Sequence, residues 1–278
     1  MMSDSQVSVG AALSYAWSLW RSHWREIWGV LALNALGCTV LCAGVFAQNW
    51  RLVVSADLGL LFTMFATYGA VLRLALGSEH PDDPEFRLGA LGLQWRKMEL
   101  RLLGAHLLLM VFVLILVVLL TLAVFAPIMG VVMAKGVVIT PATTPADLQR
   151  VIGANGIQAL NLGYLFVQGV LMFVLTRLSL YLATTADRGK VSVLRTWKLT
   201  RGHFWQVFAA LLVIGLPTVL IMSIGVGAGM SLDGRPAPLA PGETFLYSLI
   251  CGGWAGAAAM PLAAGVQAYF YRNLKAGG

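Results

Sequence analysis

The chain has 278 residues, of which 59% are hydrophobic and only 11% are charged. A water-soluble domain carries about a quarter charged residues, so a soluble globular fold is excluded and a membrane is the expected solvent. The net charge of +7 would suggest nucleic acid in a soluble protein. Here anionic lipid accounts for it, at about 1 kcal/mol per base near the headgroups, and nucleic acid is not an expected partner.

Stretches without Asp, Glu, Lys or Arg occupy 27–50, 58–72, 102–134, 151–176, 204–232 and 244–271. Since a spanning helix needs about 20 apolar residues, they predict an all-α transmembrane fold, one polytopic domain over 1–278. Its six spans lie at about 27–49, 57–76, 102–126, 155–177, 204–229 and 245–270. No cleavable signal is visible, because Asp4 precedes a first apolar run of full spanning length.

Ahead of the first span, Trp17, Leu19, Arg21 and His23 form a Trp-x-Leu-x-Arg-x-His motif. Apolar residues recur at helical spacing over 10–28 with bases between them, the pattern of a helix lying in the membrane interface. Cys38 and Cys42, with Cys251 far along the chain, fit neither a disulfide framework nor a zinc site and read as buried thiols. The second span reaches full length only if Arg73 lies in its last turn with the guanidinium snorkelling to the headgroups.

The next charged segment carries Trp95, Arg96 and Lys97, a weaker copy of the first collar. His106 sits one turn inside the third span and reads as a structural hydrogen-bonder rather than a proton relay. The run 102–134 exceeds one straight crossing, so Pro127 and Gly130 are expected to end the helix. In the following loop Thr144, Pro145 and Asp147 signal a short helix from Pro145 to about Ile152.

The motif then returns as Trp197, Leu199, Arg201 and His203, directly ahead of the fifth span. Spans two, four and six end alike, with Arg73, Arg177 and Arg272. The unit of interfacial amphipathic helix, span, loop, span and terminal Arg therefore occurs three times in the same orientation, giving three parallel two-helix repeats. Pro217 and Pro261 interrupt the last two spans, and Gly252-x-x-x-Gly256 suits close helix packing. Asn34, Asn161, Gln168 and Gln267 are polar groups at membrane depth.

Fifteen of the 19 Lys and Arg fall on one side if both termini are cytoplasmic, leaving Arg51, Lys135, Arg150 and Arg235 outside. Those four are matched by Asp57, Asp147, Asp233 and Glu243, so the positive-inside rule places both termini in the cytoplasm.

The candidate lipid or partner contacts are Trp17, Arg21, His23, Trp95, Arg96, Lys97, Trp197, Arg201 and His203. Arg fits phosphate bidentately and Trp anchors at headgroup level. Arg73, Arg177 and Arg272 are candidate anion contacts at the same membrane face. No phosphate-binding loop, no His-Glu-x-x-His and no Gly-x-Ser-x-Gly elbow occurs, so no catalytic residue, metal or cofactor is expected. Pro145, Asp147 and Arg150 match the Pro-x-acid-x-x-base element of mitochondrial carriers, but a carrier repeats it on each odd helix and this chain has it once.

From Leu182 through Gly189, Ser192, Trp197, Thr200, Arg201 and Gly202 to the aromatic run at Phe204, the chain resembles a broad group of bacterial polytopic inner-membrane proteins. It is similar to the membrane domain found beside some bacterial glycerophosphoryl diester phosphodiesterases. The resemblance implies a six-helix bacterial inner-membrane module. It carries no activity over, because the phosphodiesterase has a separate soluble catalytic domain. The expectation is a non-enzymatic membrane protein whose basic collar contacts anionic phospholipids, with a protein partner or a second copy as a further contact. The alternative is a small-solute or lipid transporter using the kinked fifth and sixth spans.

Overall fold

The computed structural model describes residues 7–134, 145–228 and 240–276. All regular structure among them is helical, and six helices are long and apolar enough to cross a membrane. The chain is a multi-pass membrane protein. Lys135, Asp233 and Arg235, and Thr144 as a helix cap, lie outside the described residues.

Helix α1 runs unbroken from Val9 to Phe46, started by Ser8, whose Oγ accepts the Ala11 N–H at 3.1 Å. At 1.5 Å per residue its 38 residues reach about 57 Å, nearly twice a hydrocarbon core of about 30 Å. The first collar is therefore the protruding end of the spanning helix and not a separate interfacial one. A three-residue turn with Gln48 at φ 53° leads to α2 (Trp50–Leu76), capped by the Asn49 side chain.

The second collar is not a helix up to Arg96. Short 3₁₀ turns, Pro84–Phe86 and Ala90–Gly92, occupy it, and α3 (Lys97–Ala134) starts only after them. The cause is local: Leu91 and Gly92 have φ of 59° and 72°, and Gly92 lies against Ile27 and Val30 of α1. A Cβ on Gly92 would sit 3.0 Å from Val30. The third collar contains one four-residue turn, α6 (Thr196–Leu199).

Pro127 does not end α3, which continues to Ala134. A backbone leaving the helix in hydrocarbon would lose its hydrogen bonds, so one missing Pro N–H is the smaller cost. Helix α4 (Pro145–Leu178) starts at Pro145 and breaks at Gly153, whose φ is 69°, which delimits the expected short helix. A turn leads to α5 (Tyr181–Arg188), stopped by left-handed Gly189 at φ 59°. Helix α7 (Phe204–Ala228) contains Pro217, and α8 (Pro241–Trp254) passes through a π-helical turn, Ala255–Ala259, into α9 (Met260–Ala276).

The chain forms two compact units: residues 1–106 with 177–278, and residues 107–176. The second unit is lined with exposed apolar side chains such as Leu114, Leu119 and Phe166, as suits contact with lipid tails. In the first unit α1 is the axis. Gly252 and Gly256 press against the α1 backbone at Thr39 and Ala35, where a methyl group on either glycine would overlap main-chain atoms. Small residues continue this seam where Gly265 meets Ala16. Close backbone approach replaces the hydrophobic drive that lipid cannot supply.

The π turn explains two hydrogen bonds that reach across from α1. The Met260 N–H bonds to Ala255 O, one residue further back than in an α-helix, and Pro261 has no N–H to give to Gly256 or Ala257. Asn34 Nδ2 donates to Gly256 O at 3.0 Å and Trp20 Nε1 to Ala257 O at 3.0 Å. Asn34 Oδ1 accepts in turn from Thr63 Oγ1 on α2 at 3.1 Å. Cys38, Cys42 and Cys251 are buried free thiols, as expected.

Candidate functional site at the basic end

Four chain segments converge where α2, α3, α5 and α9 begin or end on one side of the first unit. Their charges fall into two sets, one paired internally and one facing outward.

The internal set starts with Arg73. Its side chain is fully buried and forms a two-pronged pair with Glu99, also fully buried, with the second prong at 3.1 Å. Arg73 Nε donates to Glu85 O at 2.6 Å, and Glu99 Oε2 accepts the Arg96 N–H at 2.8 Å. Gly69 leaves the room this carboxylate needs. Arg73 therefore does not snorkel. Its anion is the chain's own Glu99, reached because the turns over 77–96 fold the start of α3 back onto the end of α2.

A second cluster centres on Asp187 at the end of α5. It accepts from Tyr271 Oη at 2.6 Å and from Lys275 Nζ at 2.8 Å, and His80 Nε2 lies 2.9 Å away. His80 stacks on Phe86 with ring centroids 4.4 Å apart. Beside it Arg272 Nε pairs with Glu79 at 2.7 Å, and its Nη1 donates to Ala75 O at 3.2 Å. With three donors around one carboxylate, Asp187 is occupied in joining α5, α9 and the α2–α3 connection. Asp187→Asn should weaken charge-assisted bonds worth about 1.5–3 kcal/mol and speed amide exchange over 270–276. Unchanged exchange there would refute the latch.

The outward set holds most of the expected contacts. Trp17, Arg21, Trp24 and Trp28 lie at helical spacing on the exposed side of α1, with Trp17 and Trp28 each 50% exposed. Arg25 stands over Trp24 at 5.6 Å. His23 is committed to its own helix, with Nδ1 3.1 Å from Leu19 O and 2.7 Å from Ser22 Oγ. Trp95 packs on Phe62, Arg96 Nη1 donates to Pro84 O at 2.7 Å, and Lys97 is exposed.

In the α5–α7 connection, buried threonines fix the backbone. The Thr185 hydroxyl accepts the Ser192 N–H at 3.2 Å, Thr196 donates to Val193 O at 2.7 Å, and Thr200 donates to Arg177 O at 3.1 Å. Arg177 stands over the Trp197 ring at 5.1 Å. Arg201 is exposed, and His203 is half-buried. His106 Nδ1 lies 2.7 Å from Tyr181 Oη, the structural role expected of it.

Sequence reading missed Glu99, Asp187, Glu79 and Tyr271. A positive-inside count weighs bases near helix ends and takes no account of which acids neutralise them. The signal that was present is Glu99 among five acids over 77–101.

No protein-family model matches the chain, and no curated protein or solved structure matches it.

Proposed function

We propose that this is a non-enzymatic, multi-pass protein of the bacterial inner membrane whose basic end contacts anionic phospholipids. In this reading the basic end and both termini are cytoplasmic, and the collar can also receive a protein partner or a second copy. The three span pairs α1–α2, α3–α4 and α7 to α9 are three parallel repeats whose collars have diverged in structure. The likeness of 182–208 to the membrane domain beside glycerophosphoryl diester phosphodiesterases belongs to the same proposal.

The observation that carries it is the exposed Trp17, Arg21, Trp24 and Trp28 stripe on the protruding part of α1. Indole rings favour the headgroup layer, and guanidinium groups between them meet phosphate there. A transporter using the kinked fifth and sixth spans would need free backbone carbonyls at its breaks, and in the sixth those of Gly256 and Ala257 are held by Asn34 and Trp20.

Native mass spectrometry from mild detergent tests the reading. Wild-type protein is expected to retain phosphatidylglycerol in preference to phosphatidylcholine, and Arg21→Ala with Arg201→Ala to reduce that preference. Equal retention of both lipids by the wild type would overturn it.

A further inference from the structure

The formal charge at the basic end is spread along the chain, but the structure concentrates the unbalanced part in one place. Over 77–101 Glu79 and Glu99 are taken by Arg272 and Arg73, which leaves Asp82, Asp83 and Glu85 against Arg87, Arg96, Lys97 and Arg101, a single base in excess. Arg272 and Lys275 at the end of α9 are paired with Glu79 and Asp187. The protruding part of α1 sets Arg21 and Arg25 against Glu26. The α5–α7 connection is different. Arg188, Lys190, Arg195, Lys198 and Arg201 are all exposed, and the acid nearest in sequence, Asp187, is turned inward to Lys275, Tyr271 and His80.

The same connection is amphipathic in a helical register. Val193, Thr196 and Thr200 are buried, while Leu194, Trp197, Lys198 and Arg201 are exposed at spacings of three, four and seven. Successive turns support that register, with Trp197 N–H on Leu194 O at 3.2 Å and Thr200 N–H on Thr196 O at 3.0 Å. Leu194 is 67% exposed and Val191 45%. An apolar ridge set among unneutralised bases suits neither water alone nor hydrocarbon alone. It suits the boundary between phosphates and acyl chains.

We infer that the segment 188–201 is the anionic-lipid docking element of this protein. Leu194 and Val191 enter the acyl boundary while Arg195, Lys198 and Arg201 hold lipid phosphates, and the α1 stripe, with one net positive charge, adds anchoring and the smaller share of the lipid selectivity. This rests on the collar reading above and assigns it to one element. Near an anionic surface each base contributes about fivefold in binding, so five unmatched bases outweigh the single net charge of the α1 stripe by a wide margin.

The test uses full-length protein in nanodiscs and by native mass spectrometry, with phosphatidylglycerol and phosphatidylcholine as probes. Arg195→Gln, Lys198→Gln and Arg201→Gln together alter only exposed side chains, so the fold is retained. At about fivefold per base they are expected to lower the preference for phosphatidylglycerol about a hundredfold, and Arg21→Gln with Arg25→Gln by no more than about twenty-five-fold. An environment-sensitive dye on Leu194→Cys, with the three native cysteines replaced by alanine, should shift to the blue as phosphatidylglycerol is added. Should the double variant abolish the preference while the triple variant keeps it, this inference falls and the collar reading stands. A wild type without any preference removes both. A dye at 194 that reports water at every lipid composition overturns the insertion of Leu194.

Discussion

Replacing Glu99 with alanine should cost about 3–5 kcal/mol of stability, the penalty for stranding a buried charge. Arg73 has no route to water: its side chain is fully buried, and its remaining partner, Glu85 O, is a neutral carbonyl. The Arg96 N–H also loses its acceptor, so the start of α3 loosens as well. Unfolding in mixed micelles at increasing denaturing detergent measures the loss. Arg73→Met on top of Glu99→Met should recover most of it, because an apolar pair of similar volume avoids desolvating two charges. The unrecovered part reads what Glu85 O and the Arg96 N–H contribute. A single Glu99→Ala variant within about 0.5 kcal/mol of wild type, the range of an ordinary surface substitution, would mean that the pair does not hold α2 to α3.

The second large effect changes sign over three residues. Gly253 and Gly256 lie one turn apart, but a Cβ on Gly253 meets nothing within 4 Å, whereas on Gly256 it would lie 2.5 Å from Ala35 Cα. Alanine gains up to about 1 kcal/mol of helix propensity over glycine at either site. Gly253→Ala should therefore be neutral or stabilising. Gly256→Ala must push the π-helical turn away from α1 along a backbone contact that cannot rotate aside, at about 3 kcal/mol. It also pulls Gly256 O away from Asn34. The same detergent titration gives both values, and two variants of equal stability would refute the seam.

The six spans were legible because hydrocarbon leaves one solution for a long uncharged run, a helix that satisfies its own backbone. The cysteines and the Gly252-x-x-x-Gly256 seam were legible for a related reason, since small apolar residues in lipid have little to do but pack. The collars were not. Their sequences share Trp and bases, but composition does not decide whether a segment extends a spanning helix, as 10–28 does, or turns at Leu91 and Gly92 against α1. The charge network failed for a different reason. Arg73 and Glu99 are 26 residues apart, and only the fold of the intervening turns decides that they meet. At the docking element the bases were visible, while the neutralisation of the others was not.

The bonds of Trp20 and Asn34 to the carbonyls beside Pro261 have a consequence for biogenesis. Their partners lie 237 and 222 residues downstream. A chain leaving the ribosome from its N-terminus carries α1 through the bilayer with Asn34 Oδ1 met early by Thr63 on α2, while its Nδ2 waits for Gly256. The span made of α8 and α9, in turn, enters the lipid with two bare carbonyls, at Gly256 and Ala257, that α1 covers. Helix α1 and the α8–α9 span are thus each incomplete as a membrane segment, and their packing together completes both. A polypeptide cut short after α7 would present the Asn34 amide N–H and the uncovered Ala35–Thr39 face of α1 to the lipid, a mark by which quality control tells it from a chain that has gone on to make α8 and α9.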